Sequence, residues 1–188
     1  MKRSARKILI VLAYLALALG LCGCSLETSA ENLFTLPQVP VEYTGLANTL
    51  NTYLESGYEY ITPSSGNNIQ SLQMIDMDGD GEKEAVAFFR HTADDNPLKI
   101  LFFREENGTF SLYSTIESGG SSIDSVSFRD FNGDGRLEVV VGWRVSMDLQ
   151  ALAVYSLEPD GARELMRTNY VKYAVADLNK DGKRELTV

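Results

Sequence analysis

Acidic side chains recur in this sequence at one spacing. Asp76-Met-Asp-Gly-Asp-Gly-Glu-Lys-Glu84, Asp130-Phe-Asn-Gly-Asp-Gly-Arg-Leu-Glu138 and Asp177-Leu-Asn-Lys-Asp-Gly-Lys-Arg-Glu185 align without a gap, their starts 54 and 47 residues apart. Positions 1, 3 and 5 of each nonapeptide carry side-chain oxygens: Asp76, Asp78 and Asp80; Asp130, Asn132 and Asp134; Asp177, Asn179 and Asp181. On a curled backbone, alternate side chains converge on one side. Position 6 is always glycine, where the chain must turn sharply. The next residue (Glu82, Arg136, Lys183) can offer its backbone carbonyl, so its side chain is free to vary. Position 9 is always glutamate (Glu84, Glu138, Glu185). An all-oxygen donor set suits a hard cation. Calcium, which takes six to eight oxygens at about 2.3–2.6 Å, is the ion expected. The competing reading is an acidic turn without an ion, because Asp, Asn and Gly favour turns by themselves. Three copies between strand-like runs favour calcium. The first loop has four carboxylates and is expected to bind tightest. The third has Lys180 at position 4 and more basic neighbours, and is expected to be weakest.

The flanking residues say what holds these loops. Leu72 to Ile75, Ile123 to Phe128 and Tyr170 to Ala176 read as strands before them, and Ala85 to Phe89, Val139 to Trp143 and Leu186 to Val188 as strands after them. Two further strands follow in each complete unit: Leu98 to Phe103 and Thr109 to Ile116, then Leu149 to Leu157 and Ala162 to Arg167. Asn107-Gly108 and Asp160-Gly161 supply the positive φ angles of tight hairpins. Four antiparallel strands in about 50 residues is the size of a propeller blade. Helix-loop-helix calcium loops and dockerins begin alike, but continue to an acidic residue at position 12 and then into a helix. Position 12 here is Ala87, Val141 and Val188.

These loops resemble the VCBS and FG-GAP repeats of integrin-α-like β-propellers. The resemblance covers about Ile69 to Val188 and rests on the Asp-x-[Asp/Asn]-x-Asp-Gly-x-x-acidic loop between two strands. It implies one calcium in a hairpin of each blade, held at the positions named above. Many members have Asp at position 9; with Glu the last ligand reaches differently or through water. The Phe-Gly and Gly-Ala-Pro signatures are not evident. The fold expected is mainly β, a partial propeller of four-stranded antiparallel blades at about 69–117, 121–168 and an incomplete 169–188. Such propellers usually close with about seven blades, so the chain reads as an N-terminal fragment; a small open stack completed by self-association is the runner-up.

The start of the chain reads as an address. Lys2, Arg3, Arg6 and Lys7 precede an apolar run from Ile8 to Leu21, shorter than the roughly 20 residues that span a bilayer. Leu21-Cys22-Gly23-Cys24 resembles the bacterial lipobox, so residues 1–23 are expected to leave as a signal peptide and Cys24 to carry acyl lipid such as palmitate. An ordinary signal peptide or an uncleaved anchor are the alternatives, and either still exports the protein. No thiol then remains for a disulfide or a thiolate metal site. Residues 24–40 read as a tether and 41–68 as a lead-in, with a helix whose Leu46, Leu50, Tyr53 and Leu54 share one face. That helix is expected to cap a sheet edge or the first β unit.

Net charge is −9, about −13 without the four leading cations, which argues against nucleic acid. The one histidine, His91, argues against a histidine-based catalytic dyad or zinc site. The expected role is therefore a membrane-anchored binding or adhesion module on the extracytoplasmic face. Its ligand would be a glycan or an envelope protein, met through variable loops such as His91 to Pro97 and Glu117 to Ser122. A polysaccharide-acting enzyme or its accessory module, and a ligand-free spacer, are the alternatives. Trp143, Phe88, Phe89, Phe102 and Phe103 are expected in the core rather than as sugar platforms. For Tyr58 and Tyr60, sugar stacking is the lesser alternative.

Overall fold

The computed structural model describes residues 43–188. The stretches expected to be a signal peptide and a tether, with Cys24, lie outside the described residues. A helix, α1 (Thr44–Glu55), opens the described chain, and eleven strands follow: β1 (Glu59–Tyr60), β2 (Leu72–Ile75), β3 (Glu84–Arg90), β4 (Leu98–Glu106), β5 (Thr109–Ser118), β6 (Ser122–Arg129), β7 (Glu138–Arg144), β8 (Gln150–Glu158), β9 (Gly161–Tyr170), β10 (Ala174–Ala176) and β11 (Glu185–Thr187). They form three antiparallel units. The first runs β2-β3-β4-β5, with β1 added beyond β2 on the same edge of β3. The second runs β6-β7-β8-β9, and the third is the pair β10-β11. The assembly is mainly β and open rather than closed, a partial propeller-like stack.

The two four-stranded sheets share their strand order and a bulge at the same place. In the first, pairing slips by one residue at Phe102/Phe103 of β4, opposite Tyr113; in the second it slips at Val154/Tyr155 of β8, opposite Leu165. Alternation along the strands divides the core in two. Val86, Phe88, Ile100 and Phe102 of the first sheet meet Val139, Val141, Trp143 and Ala153 of the second, all fully buried. On the other face of the first sheet, Ala87, Phe89, Leu101 and Phe103 pack under Leu46 and Leu50 of α1. β3 is covered on both faces, and so its sequence is a continuous apolar run with no alternation. Trp143 and the four phenylalanines are core residues, with 0 % exposure. Tyr60 stacks on Phe89 with centroids 4.5 Å apart, and Tyr58 on His91 at 4.4 Å, so both rings are committed to packing.

Two details differ from the sequence reading. Tyr170 is not the start of the strand before the third loop. It ends β9, opposite Gln150, and only Ala174–Ala176 form β10. The segment after β1 was not foreseen as structured. Ser64 and Ser65 donate backbone hydrogen bonds to the Ile123 and Asp124 carbonyls (3.1 and 2.8 Å), and the Asn68 amide donates to the Val126 carbonyl at 3.0 Å. This segment lies along β6 and satisfies an edge that would otherwise be open.

Candidate metal centre

Each acidic loop joins the first two strands of its unit: β2 to β3, β6 to β7, β10 to β11. In an antiparallel meander alternate connections share an end, so all three loops lie on one rim. They also touch. Leu137 N–H donates to the Met77 carbonyl (2.8 Å), and Lys183 Nζ donates to the Asn132 carbonyl (3.1 Å).

Within each loop the backbone is drawn in by its own side chains. Asp76 Oδ1 accepts from Gly79 N–H (2.7 Å) and Oδ2 from Gly81 N–H (3.1 Å); Asp130 does the same with Gly133 and Gly135 (2.6 and 3.0 Å). Asp177 Oδ2 accepts from Gly182 N–H at 3.0 Å. At position 5, Asp80, Asp134 and Asp181 accept the N–H of Glu82, Arg136 and Lys183, each at 2.8 Å. At position 9, Oε2 of Glu84, Glu138 and Glu185 accepts the N–H of position 2: Met77 (2.8 Å), Phe131 (2.9 Å) and Leu178 (2.7 Å). Glutamate thus closes each loop with one oxygen and keeps Oε1 facing it. This is how the longer acid serves where aspartate is common.

The donor set fits a cation at the first and third loops. Asp76, Asp78 and Glu84 offer oxygens within 4.8 Å of one another, and so do Asp177, Asp181 and Glu185. Asp78 Oδ1 is moreover buried without a hydrogen-bond partner, an acceptor that a cation would satisfy. In the second and third loops an amide nitrogen donates to the position-5 aspartate, Asn132 to Asp134 Oδ2 and Asn179 to Asp181 Oδ2 (both 2.9 Å), and in the second loop alone it also reaches the position-9 glutamate, Glu138 Oε1 (3.3 Å). Burial pushes the Glu84 and Glu138 carboxyls up, aided by the charges of Asp78 and of Asp134 with Asp130. The N–H donors at position 7 hold Asp134 and Asp181 below the usual range.

Residues 76–141 match the FG-GAP-like repeat family. The match covers this stretch and not the whole chain. It spans the first two acidic loops and the strands between them, and the third loop lies beyond it with the same residue pattern and the same closing hydrogen bonds. No curated protein and no solved structure matches the chain. FG-GAP-like repeats build propeller-like modules, as the two stacked sheets do here.

Lys180 marks where the third loop departs from the FG-GAP-like pair. Position 4 is in the left-handed region in every loop: Gly79 at φ 76°, Gly133 at 80° and Lys180 at 63°. A side chain with a Cβ is strained there. Lys180→Gly is therefore expected to stabilise the third unit by about 1 kcal/mol, net of the extra freedom glycine gains in the unfolded chain. Amide hydrogen exchange at Ala174–Ala176 measures it, and faster exchange would contradict it.

The sequence reading missed Arg104. Its Nη2 lies 2.6 Å from Asp78 Oδ2 and its Nε 3.3 Å from Glu84 Oε1, with the guanidinium 4.8 Å from the centre of the Tyr113 ring. Arg104 stands 20 residues after Glu84, and only the pairing of β3 with β4 brings it there. Both are residues next to the Ala85–Phe103 pair, which the hairpin register could have revealed.

Proposed function

We propose that the chain is an extracytoplasmic lipoprotein, anchored through Cys24, whose propeller-like repeats are stabilised by calcium and act as a binding module. The observation that carries this reading is the confinement of three like acidic loops to one rim. Calcium at Asp76, Asp78, Asp80 and Glu84, and at the matching residues of the other loops, would fix that rim. The carbonyls of Glu82, Arg136 and Lys183 would complete each set. Loops 91–97, 119–121 and 145–149 gather at the opposite end, and there Met147 is 92 % exposed. That end is the one left to meet a glycan or an envelope protein.

A non-enzymatic role is supported by the state of the other carboxylates. Asp94 pairs with Lys99 (2.7 Å) and His91 (3.1 Å). Asp124 pairs with Arg144 (3.3 Å) and accepts from the Tyr170 hydroxyl (3.0 Å). Asp95 and Glu117 line one cleft with Asp94, but Lys99 bridges Asp94 and Glu117 (2.7 and 2.8 Å) and ties both up as ion-pair partners. The test is binding of the full-length protein, in detergent, to arrayed envelope polysaccharides and peptides, with calcium and with chelator. Binding in calcium that is lost in chelator is expected. A blank array under both conditions would favour a spacer, and turnover of a polysaccharide would favour an enzyme. Labelling with radioactive palmitate that vanishes in Cys24→Ser tests the anchor separately.

Calcium binding should depend on pH in a defined direction. Glu84 and Glu138 have raised values in the fold, so the metal-free protein holds their protons more tightly than the unfolded chain does. Ionising them costs folded-state stability as pH rises through those values, and calcium, which needs the ionised form, must expel the protons. The calcium-induced rise in Tm is thus expected to be clearly smaller at pH 5 than at pH 7. An equal rise at both would contradict it.

A further inference from the structure

We propose that Arg104 is a built-in counter-cation of the first acidic loop, which competes with calcium there and leaves the second loop as the tighter site. The inference rests on the calcium reading above and reverses the order of affinity that carboxylate counting suggests.

Glu84 is 2 % exposed, and an unpaired charge so placed is costly. Its Oε2 is occupied by the Met77 N–H, and Arg104 takes Oε1 as well as Asp78 Oδ2. The guanidinium therefore neutralises two of the three carboxylates that converge in this loop. A divalent ion approaching Glu84 Oε1 and Asp78 must first displace it. Displacement has a route, because Arg104 also borders a cleft of about 100 Å³ between the first two loops, shared with Glu138 and Glu158. Tyr113 forms another wall of that cleft.

The second unit lacks the device. Arg104 follows Phe103, the partner of Ala85; the residue following Tyr155, the partner of Val139, is Ser156. Where Tyr113 supports the guanidinium, the second unit has Leu165 in the matching bulge. Among the described residues no ion pair is made with Asp130, Asp134 or Glu138; the cations near this loop are Lys183, whose Nζ donates to the Asn132 carbonyl (3.1 Å), and Arg136, whose side chain acts on Asp134 through charge alone. The charges acting on Glu138 are the repulsions of Asp134 and Asp130, which a metal would relieve. The amide of Asn132 that fills this loop is neutral; its Oδ1 accepts from Asp134 N–H (2.7 Å), so turning that oxygen inward costs one neutral hydrogen bond and no ion pair.

The experiment is calcium titration by calorimetry of the full-length protein in detergent. In an Asp130→Ala, Asp177→Ala background only the first loop remains. Adding Arg104→Gln there should tighten calcium by about tenfold or more, since a charge-assisted pair no longer has to be broken. Ser156→Arg, made in otherwise unchanged protein, should weaken the tightest site by a similar factor, and it decides the matter if the triple variant does not fold. Arg104→Gln should also lower Tm in chelator and enlarge the rise that calcium produces. Unchanged or weaker binding in Arg104→Gln would overturn the proposal and make Arg104 a residue that positions the ligands. Calcium binding by the unaltered protein, with no response to either substitution, overturns this inference alone. No calcium binding by any form overturns the calcium reading together with it.

Discussion

Replacing Trp143 with alanine is expected to destabilise the fold by about 3–5 kcal/mol, the range for emptying a fully buried aromatic site. Trp143 has no exposed surface and lies in β7, in the cluster shared by the two four-stranded sheets. Its neighbours there are themselves strand residues fixed by pairing on both sides, such as Ile123 across β6 and Ala151 across β8. Strands held by a ladder cannot close in on the vacancy, so the cavity term is expected to persist. Stability is read by urea denaturation followed in the far ultraviolet, because the variant has no other tryptophan to report. Trp143→Phe should recover more than half of the loss. A loss under 1 kcal/mol would mean that the two sheets do not share a core.

Gly79→Ala is expected to cost about 2–4 kcal/mol, from two causes of similar size. Its φ of 76° lies where an alanine is strained. A Cβ on it would also stand 2.7 Å from the Gly135 carbonyl oxygen, which belongs to the backbone of the next loop and cannot swing away. Gly135 supplies the control. It has φ 88° but nothing within 4 Å of its own Cβ position, so Gly135→Ala should show the strain alone, about 1–2 kcal/mol. Chemical denaturation of both variants in chelator keeps metal out of the comparison. Equal losses would contradict the direct contact between the first and second loops.

The loops, their flanking strands and the tight turns were legible in the sequence because each is a local pattern. Three nonapeptides in register, apolar runs on both sides, and Asn107-Gly108 with Asp160-Gly161 were enough to give the four-stranded unit and its order. The face of α1 was legible too, through Leu46 and Leu50 at helical spacing. What stayed hidden depends on contacts between distant residues. The stretch from Ser64 to Asn68 reads as a polar connection, and only its hydrogen bonds to β6 show that it is an edge partner. Tyr170 looked like the start of a strand because the run from Val171 to Ala176 is apolar apart from Lys172, yet the ladder with β8 claims Tyr170 for β9. Arg104 is one basic residue among many until the strand register places it beside Glu84. Counting carboxylates ranked the first loop as the strongest site, and that count omits a counter-charge supplied by another strand.

The coupling of loops to fold rests on their shared rim. Metal that binds only the folded chain raises its stability by about 2.7 kcal/mol per site at a hundredfold excess over Kd. The most direct measurement is the Tm of the full-length protein in detergent, with millimolar calcium and with chelator, repeated for Asp76→Ala combined with Asp130→Ala. A clear calcium-dependent rise, largely lost in the double variant, is expected. Equal Tm values in calcium and chelator, with the protein folded in both, would contradict it and leave the three loops as acidic turns held by their own hydrogen bonds.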